Sequence, residues 1–368
     1  MSQVVAFIGT KAQYIKTAPV LHGLDRAGIG YRLVDSGQHA TLATQLRDEL
    51  QLRAPAVRLG GDGDVESLPQ AAWWALRLAG SLASRRRLRA DVFGPDTRLV
   101  LVHGDTPSTL LATLLARRAG LRVAHLEAGL RSHSLLHPFP EELIRLVVMR
   151  LAHVLFAPDQ VAVDNLRALR VRGRVVAVPG NTSRDAVTAA LVAGRPAGST
   201  GPAVVTMHRV ENLHRPAALD GFVDLVERIA AVMPTRFVVH GPTGPALAKR
   251  GLDARLAAAG VSVGPLVPHG DFVRALAAAP LVVTDGGSIQ EECARLGVPT
   301  LLWRARTERP DGLDANVVLA RYDPATVDAF LADPDRWRRP PAADATTSPA
   351  AAIVDGIVAD LARSGLNS

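Results

Sequence analysis

The residues of this sequence best suited to chemistry gather in short segments, each directly after an apolar run. Gly9-Thr10-Lys11, Ser36-Gly37-Gln38-His39, His103-Gly104-Asp105-Thr106 and His125-Leu126-Glu127-Ala128-Gly129 come first. Gly180-Asn181-Thr182, His208-Arg209, His240-Gly241 and Asp285-Gly286-Gly287-Ser288 continue the series. Nearly every segment joins glycine to a charged or hydrogen-bonding residue. Asp105, Glu127 and Glu141 are the acid/base candidates, because a carboxyl group set against a reacting carbon can take or give a proton. Asp285 through Glu292 reads as a glycine turn opening a helix, where exposed N–H groups and the helix dipole hold phosphate. Glu292, one turn into that helix, is placed to accept hydrogen bonds from a ribose diol. His208 and Arg209 supply cations that complement a diphosphate. Lys11 and Lys16 flank the start of the first helix and suit a second phosphate or a carboxylate. His39, His103 and His125 lie on different segments without ligand spacing, so no metal site is expected. No Gly-x-Gly-x-x-Gly follows the first strand and no Gly-Lys-Ser/Thr closes the Asp285 loop, which argues against nicotinamide, flavin and Walker-type sites.

Elements must hold these segments in place, and the pattern specifies which. Val4–Ile8, Tyr31–Val34, Leu99–Val102, Arg122–Leu126, Val154–Phe156 and Val175–Val178 are short β-branched runs that read as buried parallel strands. Amphipathic stretches separate them, such as 40–52, 106–118 and 160–169. The alternation restarts with Ala203–Met207, Phe237–His240, Val261–Val263, Leu281–Thr284 and Thr300–Trp303. Strand–helix alternation predicts α/β domains with doubly wound parallel sheets, and such sheets bind ligands beyond the carboxyl ends of their strands. The turn-forming stretch Gly194–Pro202 predicts a linker. The expected organisation is a first domain over 1–193, a second over 194–349 and a last helix in 350–368, with the two α/β halves facing a cleft. Asp333–Pro349, rich in Pro, Ala and Asp, is expected to wrap the surface.

Composition narrows the class. The 368 residues, 48% hydrophobic and 21% charged, are enough for two cores. One cysteine, Cys293, excludes a disulfide framework and fits a reducing cytoplasm. The formal charge of +7 comes almost wholly from arginine, since Lys11, Lys16 and Lys249 are the only lysines. Aromatics at 4% argue against nucleic-acid binding by base stacking. No run of about 18 apolar residues spans a membrane. Met1–Gly9 lacks the basic flank and cleavage site of a secretory leader. Arg85-Arg86-Arg87-Leu88-Arg89 reads as a solvated helix end. A soluble cytoplasmic protein with neither nucleic acid nor membrane as partner is expected.

The segments also match a known pattern in order and spacing. Gly9-Thr10 with Ile15-Lys16 and Ala18-Pro19, Gly37-Gln38-His39, His103-Gly104-Asp105-Thr106 and His125 through Arg131 begin the match. Pro138-Phe139-Pro140-Glu141-Glu142, Gly180-Asn181-Thr182, His208-Arg209-Val210-Glu211-Asn212, Asp285 through Glu292 and Thr307-Glu308-Arg309-Pro310 complete it. Over essentially its whole length the chain resembles the UDP-N-acetylglucosamine 2-epimerase family. The resemblance implies a GT-B fold, two Rossmann-like domains with a last helix returning to the first, and a homodimer acting on a UDP-sugar. It implies loss of the C2 proton and of UDP to give a 2-acetamidoglucal, then re-addition of UDP with C2 inverted, and no cofactor. The family's catalytic carboxylates fall on Asp105, Glu127 and Glu141, its diphosphate-stabilising histidine on His208 and its first-loop lysine on Lys16. Gly287, Ser288 and Glu292 take UDP-binding positions. Lys11, Gln38, Arg131, Arg209, Glu211, His240 and Arg309 are the further substrate contacts expected. A hydrolysing variant that releases UDP and free N-acetylmannosamine, and a GT-B glycosyltransferase, remain as alternatives.

Departures from the family pattern mark a divergent branch. Lys11 replaces an arginine and so loses the planar fork suited to bidentate contact. Gln13 replaces a glutamate and is expected to remove a charge from a pocket rim. Ile144 replaces an asparagine, and Gly286-Gly287-Ser288 stands for Ser-Gly-Gly. Ala40 and Thr41 follow His39 where regulated bacterial members carry Arg and Gln, so their second-substrate site is not expected.

Overall fold

The structure, a computed structural model, describes residues 2–37, 40–59, 84–134, 140–192, 200–307, 309–342 and 347–365. The chain divides into two compact units, Met1–Ala186 with Ala345–Ser368, and Val187–Asp344. Part of the expected linker, 194–199, lies outside the described residues.

The first unit is built on strands β1 (Val4–Ile8), β2 (Tyr31–Asp35), β3 (Val57–Arg58), β4 (Leu99–His103), β5 (Arg122–Leu126), β6 (Val154–Ala157) and β7 (Arg174–Ala177). They form one parallel sheet in the order β3-β2-β1-β4-β5-β6-β7. Because successive side chains alternate faces, Val5 and Phe7 pack in one layer with Leu111, Leu115 and Val148, while Val4, Ala6 and Ile8 pack in the other with Leu21, Leu24 and Ile357. A sheet covered on both faces favours near-continuous apolar runs, as in Val4–Ile8 and Leu99–Val102. The helix Pro349–Gly365 closes the second layer with Ile353, Val354 and Ile357. Its Asp360 takes two hydrogen bonds from Arg122, at 2.8 and 3.2 Å, and its Gly356 carbonyl accepts one from Arg174 at 3.0 Å.

The second unit repeats the plan with β8 (Ala203–Thr206), β9 (Thr235–Val239), β10 (Ser262–Pro265), β11 (Val282–Thr284), β12 (Thr300–Leu302) and β13 (Val317–Leu319), ordered β10-β9-β8-β11-β12-β13 and parallel throughout. Phe222, Phe237 and Trp303 fill one layer, and Phe272, Val282 and Cys293 the other. Burial pushes the Cys293 thiol up to about 12, so it is an inert packing group. Residues 333–342 run along this unit, with Arg339 N–H on the Gly297 carbonyl and Ala342 N–H on that of Arg295.

Both sheets are α/β doubly wound, as the alternation predicts. β3 and β13, of two and three residues, carry no legible pattern. The strand order reverses between β1 and β4 in the first sheet and between β8 and β11 in the second. At such a switch point the connections leave in opposite directions and the strand ends open onto free space. The carboxyl ends of those strands carry Gly9, Asp105, His208 and Asp285.

Candidate active site

In the first unit the site begins with the turn after β1. Thr10 caps the helix Lys11–Arg26, and Gln13 returns the contact, its Oε1 accepting from Thr10 N–H at 3.1 Å and Gly9 N–H at 2.8 Å. The amide Nε2 of Gln13 donates to the His103 carbonyl at 2.8 Å, to Thr106 Oγ1 at 2.9 Å and to Thr109 Oγ1 at 2.8 Å. Gln13 is 3% exposed. The expectation of a rim position is therefore corrected. Gln13 is an interior strut that joins the β1 turn to the end of β4.

That strut fixes the height of Lys16, one turn further on. Lys16 Nζ donates to Glu127 Oε1 at 3.1 Å, both side chains being nearly enclosed. Asn181 Nδ2 donates to the same oxygen at 2.6 Å. His103 Nε2 lies 3.3 Å from Glu127 Oε2, and its Nδ1 meets the Thr17 hydroxyl at 3.0 Å. An ammonium, a carboxamide and an imidazole thus surround one carboxylate. The Glu127 backbone sits at φ +63°, in the left-handed region where a side chain is strained. The strained turn ends β5 and directs this carboxylate to Lys16 and Asn181.

Asp105, just past β4, pairs with Arg145, and Arg145 also donates to Glu142 Oε2 at 3.1 Å. Glu142 is fully buried and further accepts from Ser132 N–H at 3.0 Å, Ser132 Oγ at 3.1 Å and the Arg131 guanidinium. Burial alone would raise its carboxyl, but Ser132 N–H, Arg131 and Arg145 outweigh that and hold it below the usual range. Of the two adjacent glutamates, Glu142 is the anchored one. Glu141 is the first residue of the helix Glu141–Leu151 and is only half-buried, with the helix dipole behind it. Ile144 lies in the core, 4% exposed.

His125 donates from Nε2 to the Gly104 carbonyl at 2.8 Å, since a carbonyl can only accept. Its pKa is lowered to about 4, mainly by burial. It is a neutral structural imidazole.

In the second unit Asp285, fully buried at the end of β11, accepts from His208 N–H and Arg209 N–H at 3.0 Å each and from Asn212 Nδ2 at 2.9 Å. Tyr322 OH holds Asn212 Oδ1 at 2.6 Å. One carboxylate therefore ties the turn after β8 to the turn after β11. The His208 ring, 35% exposed, has Nδ1 at 3.3 Å from Asp285 Oδ1 and stacks on His240 with centroids 4.6 Å apart. Partial burial, with Arg209 and Arg304, pushes its pKa down against the pull of Asp285 and Glu211. Arg209 pairs with Glu211 at 2.7 Å. Gly286 passes so close that an added Cβ would lie 2.7 Å from His208 Cε1. A side chain at this turn would displace the ring from its present position.

The helix Gly287–Leu296 follows with no side-chain cap on its first turn, and Gly287 and Ser288 are both partly exposed. Its first N–H groups suit a phosphate. Glu292, 6% exposed, binds His269 Nε2 through Oε1 at 2.9 Å, and its buried Oε2 has no hydrogen-bond partner among the described residues. Gln290 Nε2 donates to the carbonyls of Arg309 and Asp311 at 3.0 and 2.9 Å, and Arg309 pairs with Glu291. Lys11 is the first residue of its helix and partly exposed. Gln38 and Glu308 lie outside the described residues. Among the described residues no group of three or more His, Cys, Asp or Glu is placed to hold a metal ion, and no helix is long and apolar enough to cross a membrane.

The structure thus brings Lys16 and Glu127 together, sets Asp105 on Arg145, and joins His208 and His240. In the first unit His103, Asn181 and Arg145, and in the second Asp285 and His269, hold these side chains without having been given a catalytic or binding role by the sequence. His103, Asn181 and Asp285 lie in segments that the pattern did mark. Arg145 follows one of them by a helical turn, and His269 carries no signal. The model of the family described as UDP-N-acetylglucosamine 2-epimerase matches residues 23–336. This chain belongs to the UDP-N-acetylglucosamine 2-epimerase family. The UDP-N-acetylglucosamine 2-epimerase of Bacillus subtilis is 30% identical over 92% of this chain and 89% of its own. The UDP-2,3-diacetamido-2,3-dideoxy-D-glucuronate 2-epimerase of Pseudomonas aeruginosa is 28% identical over 83% of this chain and 84% of its own. The solved Methanocaldococcus jannaschii UDP-GlcNAc 2-epimerase, in complex with UDP-GlcNAc and UDP, superposes with a TM-score of 0.82 at 23% identity, over 97% of this chain and 99% of that one. This member of the 2-epimerase family shares that GT-B fold.

Proposed function

We propose that the protein is a UDP-N-acetylglucosamine 2-epimerase that inverts C2 of a UDP-linked 2-acetamido sugar. The observation that carries the reading is Glu127, a carboxylate held by Lys16 and Asn181 on one oxygen and faced by His103 on the other. Such a group is fixed in direction and ready to exchange a proton. The C2 proton goes to a carboxylate, the C–H electrons form the C1=C2 bond, and the C1–O bond breaks to release UDP. Re-addition of UDP to C1 with protonation on the other face of C2 gives the epimer, UDP-N-acetylmannosamine. The sugar's oxidation level is the same at both ends, so the balance needs no redox partner. Asp105, Glu127 and Glu141 divide the proton transfers. His208, the uncapped turn at Gly287 and Ser288, and the unspent oxygen of Glu292 serve the diphosphate and the ribose. A homodimer working in the cytoplasm completes the proposal, and light scattering tests the first of these.

Incubation with UDP-GlcNAc in deuterium oxide, followed by proton NMR, tests the reaction. Deuterium at C2 together with UDP-ManNAc supports it. Stoichiometric free UDP would replace it with the hydrolysing reaction. Turnover without deuterium at C2 would exclude elimination and favour glycosyl transfer.

A further inference from the structure

The first sheet gathers cations at the amino ends of its strands, away from the carboxylates described above. Arg122 opens β5, Arg174 opens β7 and His153 directly precedes β6. The helix Pro107–Arg118 ends there with Arg117 and Arg118 exposed. Arg89 Nε donates to the Ala119 carbonyl at 3.1 Å, and the Arg85 guanidinium lies against Gly120. Asp360 answers part of this charge, but Arg122 at 2.8 Å and Arg174 at 3.9 Å already share it. Among the described residues Arg85, Arg89, Arg117 and Arg118 form no salt bridge. Cations in the last turn of a helix complement its dipole, which explains why arginines stand at 117 and 118. It does not explain what Arg117 touches. His153 Nδ1 accepts from Val123 N–H at 3.0 Å, and burial with Arg117 and Arg122 pushes its pKa down to about 4, so the ring is neutral at neutral pH. A neutral imidazole carries one proton, which here must be on Nε2. That nitrogen is in direct contact with Arg117 Nη1. A guanidinium cannot accept, so two donors meet with no acceptor between them.

We propose that Arg117 and the Nε2–H of His153 form a binding site for the phosphate group of a small ligand, with Arg85, Arg89 and Arg118 adding charge at its rim. Arg117 is exposed, so its side chain can swing out and admit an oxyanion to which both nitrogens then donate. The fork of an arginine beside an imidazole N–H suits the several oxygens of a phosphate. Four arginines without a carboxylate among them favour a dianion over a single carboxylate. Arg89 covers the Ala119 carbonyl, which would otherwise repel an anion at this helix end. β5 runs from this end toward Glu127, so the site stands at the other end of that strand and is independent of the epimerase reading.

Titration of the histidine-labelled protein with inorganic phosphate, followed by NMR of the imidazole signals, tests the site locally. The His153 signal is identified by its loss in His153→Gln. Phosphate at millimolar concentration should shift it saturably, and sodium chloride of equal ionic strength should not. Arg117→Ala should weaken phosphate at least about tenfold, the scale of a charge-assisted hydrogen bond, while Arg26→Ala, which removes the same charge from the helix on the other face of the sheet, should stay within about twofold. Arg117→Gln carries the same test if the alanine variant does not fold. An unmoved His153 signal, an equal shift with chloride, acetate bound as tightly as phosphate, or an Arg117 variant that binds like wild type would each overturn the proposal. Vesicles of anionic phospholipid that move the signal where inorganic phosphate does not would also overturn it, and would give this surface to a membrane.

Discussion

The carboxamide of Asn181 meets the carboxylate of Glu127 at 2.6 Å across 54 residues of sequence. Lys16 reaches the same oxygen from the first helix. Both donors favour the ionised carboxylate, so removing one should raise the pKa of the proton-exchanging group. Asn181→Ala is expected to move the acid limb of the kcat/KM profile to higher pH and to lower the plateau at least about tenfold. A profile superimposable on wild type would remove Asn181 from the mechanism.

Glu127→Gln, Asp105→Asn and Glu141→Gln should each reduce turnover of UDP-GlcNAc at least about a hundredfold, the scale of a lost general acid or base. UDP affinity should change little, since these groups belong to the first unit. Steady-state rates and UDP titrations on the three variants decide this, and wild-type rates in all three would sink the assignment.

Asp285 is expected to matter differently. Its carboxylate takes N–H donors from His208, Arg209 and Asn212, and Asp285→Asn turns one acceptor into a donor facing them. A loss of about 3 kcal/mol in stability should follow, as for a buried charged network broken on one side. Urea unfolding measures it. His208→Ala should leave stability nearly intact while weakening UDP binding and slowing the reaction together. Gly286→Ala, by contrast, must push the His208 ring aside and should mimic the loss of that ring.

Gln13→Glu offers a test of an interior position. The side-chain nitrogen lies within hydrogen-bond distance of three oxygens, and a carboxylate there would face the His103 carbonyl, which can only accept, with no proton to give. We expect a loss of about 2 kcal/mol at neutral pH, the scale of buried acceptors left unpaired, shrinking as the pH falls and the new carboxyl protonates. A pH-independent loss would contradict the picture.

Stability of the wild type should fall as pH drops from about 6.5 to about 4. His125 is held neutral, its folded pKa about 4 lying below the ordinary 6.5 of the unfolded chain. In that window the unfolded state binds more protons, so protonation favours unfolding. His153, also lowered to about 4 by burial and by Arg117 and Arg122, adds to the slope. Glu142, held below its usual range, acts in the same direction as it protonates. Urea midpoints between pH 7.5 and 5 for wild type and His125→Gln should show a shallower slope in the variant.

The legible part of the molecule was its strands and the residues directly after them. Val4–Ile8 matches the structure to the residue because a strand buried on both faces is apolar throughout, and Arg122–Leu126 does so on the apolar Val123, Ala124 and Leu126. β3 was not legible, because two residues can pair with β2 without any pattern of their own. The site divides in the same way. Asp105, Glu127 and His208 stand directly at strand ends, so strand prediction places them. The groups that hold them are not placed in this way. Arg145 reaches Asp105 from a helix forty positions on, and His269 reaches Glu292 from a different strand-to-helix connection, so topology alone decides both pairs. Gln13 shows a related limit, since residue type at a turn does not reveal whether the side chain points in or out.

Biosynthesis inherits an order from the last helix. Ile353, Val354 and Ile357 fill the same apolar layer as Leu21 and Leu24, so the earliest and latest parts of the chain share one core. On the ribosome the contiguous stretch Val187–Asp344 is made before the last helix. The N-terminal sheet meanwhile lacks Ile353, Val354 and Ile357 on one face until the helix Pro349–Gly365 has been made. Premature termination before Pro349 would therefore damage the half of the protein that was made first.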